Sequence, residues 1–330
     1  MTTIDRRQLL LGSAWLAAGV MAPWRGFAAQ TKKTKLVLLG TQGGPNALPE
    51  RGETASALIV DGRTYLVDCG YGTMGKLTRA GINYRDVPNI FLTHLHDDHV
   101  SDLAALLSHQ WTGGRTMPTN VYGPHGTEDL VDAALAFQKA NTEIRLVDEA
   151  RSILPKDIFF GHDVPATAKP HAVFEDERVN VTSVENTHYP ESSKAETSQR
   201  SLALRFDAAD RTVTFSGDTN YSENVVALAK GSDVLVCEAM YVKAMRETFD
   251  RMVADGAYAD NPEGVWRHIV GTHSSTETAG RMAAEAGVKM LVLNHLVPGA
   301  LQDVPDDVYL EGVRKHFKGK AVLGRDLMEL

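Results

Sequence analysis

The feature that most constrains this chain is a run of histidines and aspartates at 93–99, which reads Thr-His-Leu-His-Asp-Asp-His. It places three histidines and two aspartates within six residues, directly after the apolar segment 90–92. A purely structural cluster of this density would need a partner for every buried ring nitrogen, because an unpaired polar group is costly to bury. The run therefore predicts a metal site at a junction between a strand and a helix.

The spacing within this run favours two metal ions. Zinc binds imidazole nitrogen at about 2.0–2.1 Å and carboxylate oxygen at about 2.0–2.2 Å, and a catalytic zinc keeps a position open for water. Residues two apart in an extended turn point the same way. His94 and His96 can therefore share one ion, while Asp98 and His99 turn toward a second.

The remainder of the chain after the first thirty residues has the pattern of one α/β domain, 30–330. Short apolar runs alternate with helical stretches, without a linker, a repeat or a low-complexity segment. One helix is predicted at 128–140, inside an irregular segment, 110–170, that we expect to cover one side of the site. The predicted strands are 36–39, 57–60, 64–68, 90–93, 119–122, 179–184, 201–206, 212–216, 234–238, 290–294 and 321–324.

Many of these strands end on a polar residue, and strand ends at one edge of a sheet are where a rigid scaffold presents chemical groups. Asp68 is interpreted as a carboxylate that orients the histidine run, with a plain strand cap as the alternative. Glu238 is interpreted as a solvated strand end, with orientation of His273 as the alternative. The strand-end residues are Asp68, His94, Asp218, Glu238, Asn294 and His295.

With these residues in view, the chain resembles the metallo-β-lactamase superfamily, whose His-x-His-x-Asp-His signature matches residues 94–99. Three later ligand positions of the family match His188, Asp218 and His295. The resemblance covers essentially the whole chain beyond its first thirty residues. It implies an α/β fold, the metallo-β-lactamase αββα sandwich, in which two mixed β-sheets are flanked by helices.

The resemblance also implies the metal ligands. Two Zn²⁺ ions per chain are expected, with manganese or iron possible because histidine–carboxylate sites accept several metals. The implied ligands are His94, His96 and His188 for one ion, Asp98, His99 and His295 for the other, and Asp218 as the bridge.

Within the superfamily the chain resembles the ribonuclease Z and arylsulfatase-like branch, on the segments 122–127 and 273–275. This implies a hydrolase that cleaves a small anionic ester, an aryl sulfate or a phosphodiester, with hydroxide activated by the metals and oriented by Asp98. The spacing of a capping box at 274–277 places His273 at a helix start, where it could protonate or stabilise the leaving oxygen.

Other functions remain as alternatives. A lactonase or β-lactamase-type hydrolase of the same fold is one, and a catalytically silent metal-binding protein is another. A flavodiiron oxidoreductase is disfavoured because position 96 is histidine, where that branch has glutamate. No nucleic-acid partner is expected, since the formal charge is −8, the segment 110–180 has no basic arm, and an acidic surface repels polyphosphate.

The remaining notable side chains are given ordinary roles. Cys69 and Cys237 lie in apolar runs and are expected to be buried free thiols. Isolated histidines are interpreted as surface or hydrogen-bonded groups: His125, His162, His171, His268 and His316. Candidates for lining a pocket, with core packing as an equal alternative, are Trp111, Tyr189, Tyr221, Met240 and Tyr241.

Residues 1–29 have the pattern of a twin-arginine signal peptide. Arg6 and Arg7 precede an apolar stretch, 9–22, and a small-residue exit follows at 27–29. The stretch is shorter than the roughly 20 apolar residues that span a bilayer, so no stable membrane anchor is expected. The pattern predicts export to the periplasm by the twin-arginine machinery, with an amphipathic N-terminal helix as the alternative.

We predict that residues 1 to about 29 are absent from the mature protein, and that the double substitution Arg6→Lys, Arg7→Lys blocks export, because the export machinery reads the arginine pair. Cell fractionation and N-terminal sequencing measure both. A full-length chain in the cytoplasm would contradict the periplasmic location and would make RNA processing a candidate function again.

Overall fold

The computed structural model describes residues 33–330 apart from 192 and 194–196, and these residues belong to one compact unit, Lys32–Leu330. The predicted signal peptide, 1–29, lies outside the described residues. None of the helices in the described part of the chain has the length and apolarity needed to cross a membrane.

The first sheet has seven strands in the order β14-β1-β2-β3-β4-β5-β6. Its strands are β1 (Lys35–Gly40), β2 (Ala55–Val60), β3 (Arg63–Val67), β4 (Asn89–Phe91), β5 (Thr119–Gly123), β6 (Phe159–Asp163) and β14 (Met328–Glu329). The pairings from β14 to β3 are antiparallel, and those from β3 to β6 are parallel. The carboxyl ends of β3 and β4 therefore meet at one edge.

The second sheet repeats this plan in the order β13-β12-β11-β10-β9-β8-β7. Its strands are β7 (His171–Glu175), β8 (Val179–Glu185), β9 (Leu202–Ala208), β10 (Thr212–Phe215), β11 (Val234–Met240), β12 (Met290–Val297) and β13 (Lys320–Leu323). β7 to β10 pair antiparallel, and β10 to β13 pair parallel. Both sheets are therefore mixed, and each has a parallel half whose strand ends can carry a site.

Helices connect the parallel strands and cover the outer faces of both sheets. The described α-helices are α1 (Thr73–Arg79), α2 (Asp97–Val100), α3 (Leu103–Thr112), α4 (Thr127–Phe137), α5 (Lys139–Asp148), α6 (Glu223–Leu228), α7 (Val242–Ala254), α8 (Pro262–Thr272), α9 (Thr276–Ala286) and α10 (Asp306–Arg314). α3 and α4 pack on the first sheet, whereas α6, α9 and α10 pack on the second.

The inner faces of the two sheets bury a shared apolar core. Phe91 of the first sheet lies with its ring centroid 5.1 Å from that of Phe206 of the second, in an edge-to-face arrangement. Leu38 and Val292 belong to the same buried cluster. Period-two alternation of apolar residues supplies these contacts, because every second side chain of a strand points to the same face. The predicted αββα sandwich is confirmed.

All eleven strands predicted from the sequence are present in the structure, whereas β6, β7 and β14 are not among the predicted strands. β6 and β7 lie at sheet edges, and apart from Phe159 their side chains are half-buried or exposed, so their apolar signal is weak. The helix predicted at 128–140 ends at Phe137, and a separate helix, α5, follows it.

Candidate metal centre

The site lies at the edge where the carboxyl ends of the parallel strands of both sheets come together. Asp68 follows β3, His94 follows β4 and Asp218 follows β10. Glu238 and His295 lie near the carboxyl ends of β11 and β12, each two residues before the last residue of its strand. All five side chains are buried. The predicted strand-end residues therefore meet at one place.

Three imidazoles form the first cluster. The Nδ1 atom of His96 lies 3.1 Å from Nε2 of His94 and 3.1 Å from Nε2 of His188. Two nitrogens that bind one tetrahedral zinc at about 2.0–2.1 Å lie about 3.3 Å apart, so the spacing fits a single ion held by all three. The rings of His94 and His188 are buried, and that of His96 is half-buried.

Asp98, His99, Asp218 and His295 form the second cluster, in which the candidate ligand atoms lie within 4.8 Å of one another. His295 Nε2 lies 3.0 Å from Asp218 Oδ2 and 3.1 Å from Asp98 Oδ2. His99 Nε2 and Asp218 Oδ1 are buried without a hydrogen-bond partner. Buried polar atoms are nearly always paired, so these two atoms fit the donor set of a metal site.

Asp218 lies between the two clusters. Its Oδ2 is 3.8 Å from Nε2 of His94, and its Oδ1 is 3.3 Å from Nε2 of His99. One carboxylate thus faces both imidazole groups, as a bridging ligand would. The structure brings together all seven residues that are implied as metal ligands in the sequence, and their roles as ligands stay a prediction.

A β-bulge places His295. β11 and β12 pair Glu238 with Asn294 and then Ala239 with Leu296, which leaves His295 as the extra residue, at φ 42°. Bulges re-aim a side chain, and here the ring turns toward the clusters. The backbone of Gly43 passes so close that a Cβ there would lie 2.5 Å from Nδ1 of His295. Only glycine fits at that position.

Asp68 supports the histidine run from beneath. Its Oδ1 accepts a hydrogen bond from the Thr93 backbone N–H at 2.8 Å, and its Oδ2 lies 3.0 Å from Nδ1 of His99. A carboxylate on the far nitrogen of a ligating histidine sets the ring orientation and the tautomer. The contacts match the interpretation of Asp68 as an orienting residue, and its bond to the Thr93 N–H also caps the strand end.

Glu238 is a buried partner of His273, so its interpretation as a solvated strand end is wrong. Only 2% of Glu238 is exposed, because β11 continues to Met240 and neighbouring strands cover it. Its Oε2 lies 2.8 Å from Nδ1 of His273, and its Oε1 accepts the Thr219 N–H. Burial raises the pKa of Glu238, and His273 opposes that rise.

His273 does not begin a helix, contrary to the prediction. It is the C-cap of α8, and the following helix, α9, begins after the N-cap Ser275, whose hydroxyl accepts the Thr278 N–H. A helix C-terminus carries the negative end of the helix dipole, so His273 lies at the negative end of α8 and not at the positive end that a helix start would provide. Burial by itself lowers the pKa of His273, whereas Glu238 and Asp218 raise it above its usual value.

The two clusters differ in charge. Burial lowers the pKa of His94 and His188 well below the usual value, which favours the neutral form that binds metals. Burial acts in the same direction on His99 and His295, but the carboxylates around them, Asp218 foremost, raise their pKa instead. The second cluster is therefore a set of compensating charges from which metal binding would displace protons.

A cavity of about 250 Å³ opens onto the clusters. Its wall includes Met240, one of the residues predicted as candidates for lining a pocket, and His268, an exposed residue whose ring centroid lies 5.9 Å from that of His273. No residue of 110–170 lines it, so the prediction that this segment covers the site is wrong. Trp111 instead packs in the core of the first sheet.

Residues 63–296 match the family model described as Beta-lactamase superfamily domain. This chain belongs to that superfamily. Its members are metal-dependent, usually with zinc, so the prediction of a metal-dependent hydrolase with this fold is confirmed.

This superfamily member is similar over nearly its whole length to ribonuclease Z of Mycobacterium avium (strain 104), with 28% identity over 298 residues, 89% of this chain and 96% of the relative. The predicted likeness to ribonuclease Z is confirmed. Among solved structures, human tRNase Z, short form, has a TM-score of 0.62 at 21% identity, and the metallo-beta-lactamase fold protein YhfI of Bacillus subtilis has 0.63 at 17%. Each comparison covers 90% of this chain and 98% of the other, and both show the fold.

We predict that Asp68→Asn weakens metal binding by about 10–100-fold, the usual cost of losing a carboxylate behind a ligating histidine. Chelator competition monitored by metal release measures this change. Asp61→Asn is the matched control, because Asp61 also has a positive φ at the end of a strand but is exposed and belongs to neither cluster. Equal affinities in the two variants would show that Asp68 acts only as a strand cap.

Proposed function

We propose that this chain is a dinuclear zinc hydrolase that cleaves a small anionic ester, an aryl sulfate or a phosphodiester. The observation that carries the proposal is the spacing of the two donor clusters around Asp218, whose two oxygens lie 3.8 Å and 3.3 Å from His94 and His99. Manganese or iron would fit the same donors.

Zinc ions held by the two clusters would supply Lewis-acid chemistry, which lowers the pKa of water toward 7 and polarises an ester. Asp98 faces the cavity and accepts the Gly44 backbone N–H at 2.9 Å through its Oδ2. This bond and the contact with His295 hold the carboxylate where it can orient an attacking water. Asp98 is thus proposed both as a ligand and as a catalytic residue.

His273 is proposed as the group that protonates the leaving oxygen. Its Nδ1 is held by Glu238, so the ring keeps a fixed orientation on the cavity wall. With Nδ1 occupied, Nε2 is the nitrogen available to deliver a proton. Hydrolysis then breaks the bond from sulfur or phosphorus to the leaving oxygen, adds the hydroxyl of water to the acid, and passes a proton to the alcohol.

The comparison with ribonuclease Z supports a phosphodiester as one of the two ester classes. We do not extend the proposal to an RNA substrate, because RNA binding relies on cationic contacts to phosphates. The cavity wall has neither lysine nor arginine among its described residues, and the formal charge of the chain is −8. The proposed partner is a small molecule.

The proposal includes a place in the cell and a branch of the superfamily. Export to the periplasm is supported by the arginine pair and the apolar stretch within residues 1–29. A kinship with arylsulfatase-like enzymes is supported by the segment 273–275 and by the position of His273 on the cavity wall.

We predict two bound metal ions per chain after saturation with zinc, and a loss of metal in Asp218→Ala because one carboxylate serves both clusters. Elemental analysis of the purified protein measures both. Asp61→Ala removes an exposed carboxylate and should leave the metal content unchanged. A stoichiometry of one or below in the wild type, with Asp218→Ala unaltered, would rule out the dinuclear proposal.

We predict that His273→Ala keeps its metal and fold but loses about 10²–10⁴-fold in kcat, as is usual when a general acid is removed. The loss should shrink for leaving groups of low pKa, since these need little protonation. Steady-state kinetics over a series of aryl and alkyl esters measure this dependence. His125→Ala, which changes an exposed histidine paired with Asp163, should behave as wild type.

Two outcomes would contradict this role for His273. Loss of a metal ion from His273→Ala would make it a ligand, and equal slowing of all leaving groups would make it a positioning residue.

If wild-type enzyme loaded with zinc hydrolyses sulfate and phosphate esters no faster than lactones or cephalosporins, the proposed substrate class is wrong.

A further inference from the structure

The cavity above the clusters has two chemically different ends. At one end lie the candidate ligands and His273. The other end, named here the apolar pocket, consists almost wholly of hydrocarbon and thioether groups. It is lined by Met240, Met245, Met252, Tyr258, Val265, Ile269, Val297 and Leu301.

The wall of the apolar pocket is a packed structure. α7 and α8 contact each other through the ring of Phe249, whose centroid lies 5.4 Å from that of Trp266 and 5.7 Å from that of Tyr258. The guanidinium of Arg246 lies 4.6 Å above the Trp266 ring and covers this contact. The two helices that form this wall are therefore held together by a small core of their own, against which Ile269 packs.

Charge separates the two ends. The described lining of the cavity contains no lysine or arginine, and its carboxylates, Asp97, Asp98 and Asp218, all lie at the metal end. An anionic group in the apolar pocket would lose its hydration without gaining a cation, which is strongly unfavourable. An uncharged apolar group would instead gain by leaving water.

The dimensions suit one ring system. An apolar cavity of about 150 Å³ holds benzene, and this cavity has about 250 Å³ for the ring and the ester group together. Met240, Met245 and Met252 are flexible and polarisable, and thioether sulfur makes favourable contacts with aromatic rings. The pocket can thus adjust to aromatic groups of different shape.

We propose that the apolar pocket binds the leaving group of the substrate, and that this group is an uncharged aromatic ring system. The inference rests on the proposed function and narrows its substrate class from small anionic esters in general to those with an uncharged aromatic leaving group. α8 connects the pocket to the leaving oxygen, because this helix supplies Ile269 to the pocket wall and is followed directly by its C-cap, His273. The leaving oxygen beside His273 is therefore the atom that carries the ring.

The test uses three esters that share one acid part, sulfate or phosphate, whichever gives the faster hydrolysis by wild-type enzyme. They differ in the leaving group, which is phenol, 1-naphthol or 4-carboxyphenol, three alcohols of similar basicity. The phenyl and 1-naphthyl esters should be the good substrates. The 4-carboxyphenyl ester should have a kcat/KM lower by about tenfold or more, because its charge enters an apolar site. Comparable kcat/KM values for the phenyl and carboxyphenyl esters would overturn the proposal.

Variants locate the effect. Ile269→Asn places an amide in the pocket and should lower kcat/KM for the 1-naphthyl ester by about tenfold relative to wild type. Ile144→Asn is the matched control, since Ile144 lies on α5 and is 59% exposed. Met252→Gln, on the opposing helix, repeats the test should Ile269→Asn fail to fold. Unchanged kinetics in both pocket variants would overturn the proposal.

Direct binding separates this inference from the proposed function. Calorimetry with 1-naphthol, the uncharged product, needs no turnover. Binding to wild type that is weakened in Ile269→Asn but retained in Ile144→Asn would support the pocket even if no ester were hydrolysed, in which case only the proposed function fails. Hydrolysis of the esters without binding of 1-naphthol would leave the function standing and overturn the pocket assignment.

Discussion

The structure depends on the burial of four carboxylates, those of Asp68, Asp98, Asp218 and Glu238, at the edge where the two sheets meet. Removing such groups from water costs several kcal/mol each unless opposite charges or hydrogen bonds compensate. Every one of them faces an imidazole within about 3 Å, as with His99 at Asp68 and His273 at Glu238. The segments that carry these carboxylates must therefore place each one beside an imidazole ring, and this requirement links fold and site.

This requirement explains what could be predicted from the sequence. The donors of the histidine run are local in sequence, and the strands before Asp68 and Asp218 are short apolar segments with a polar last residue. Such features need only period-two alternation and a turn. The histidine run and the predicted strand ends together therefore identify most of the site before any tertiary contact is known, whereas His188 is implied only by the family resemblance.

The remainder depends on contacts between distant segments. The bulge at His295 arises from the register of β11 against β12, and the burial of Glu238 follows from the same pairing. The apolar pocket is formed by α7 and α8, whose methionines and isoleucine carry no motif. His268 looks isolated in sequence because two of its neighbours in space, His96 and His188, come from distant segments of the chain. Neither α7 nor α8 is among the elements predicted from the sequence, and the face that each turns toward the site is set by its packing against the other helix.

Each donor cluster draws on both sheets: His94 and His96 come from the first and His188 from the second, while Asp98 and His99 face Asp218 and His295 in the same way. Bound ions would thus act as cross-links between the two halves of the sandwich, closing loops of roughly 90 to 200 residues. They would add to the side-chain packing and to backbone hydrogen bonds, such as that from Leu202 N–H to the Thr93 carbonyl, that already join the sheets. Because the ions would bind only the folded chain, metal occupancy would raise the free energy needed to separate the sheets. The catalytic centre would then also be the cross-link that holds the two sheets of the domain together.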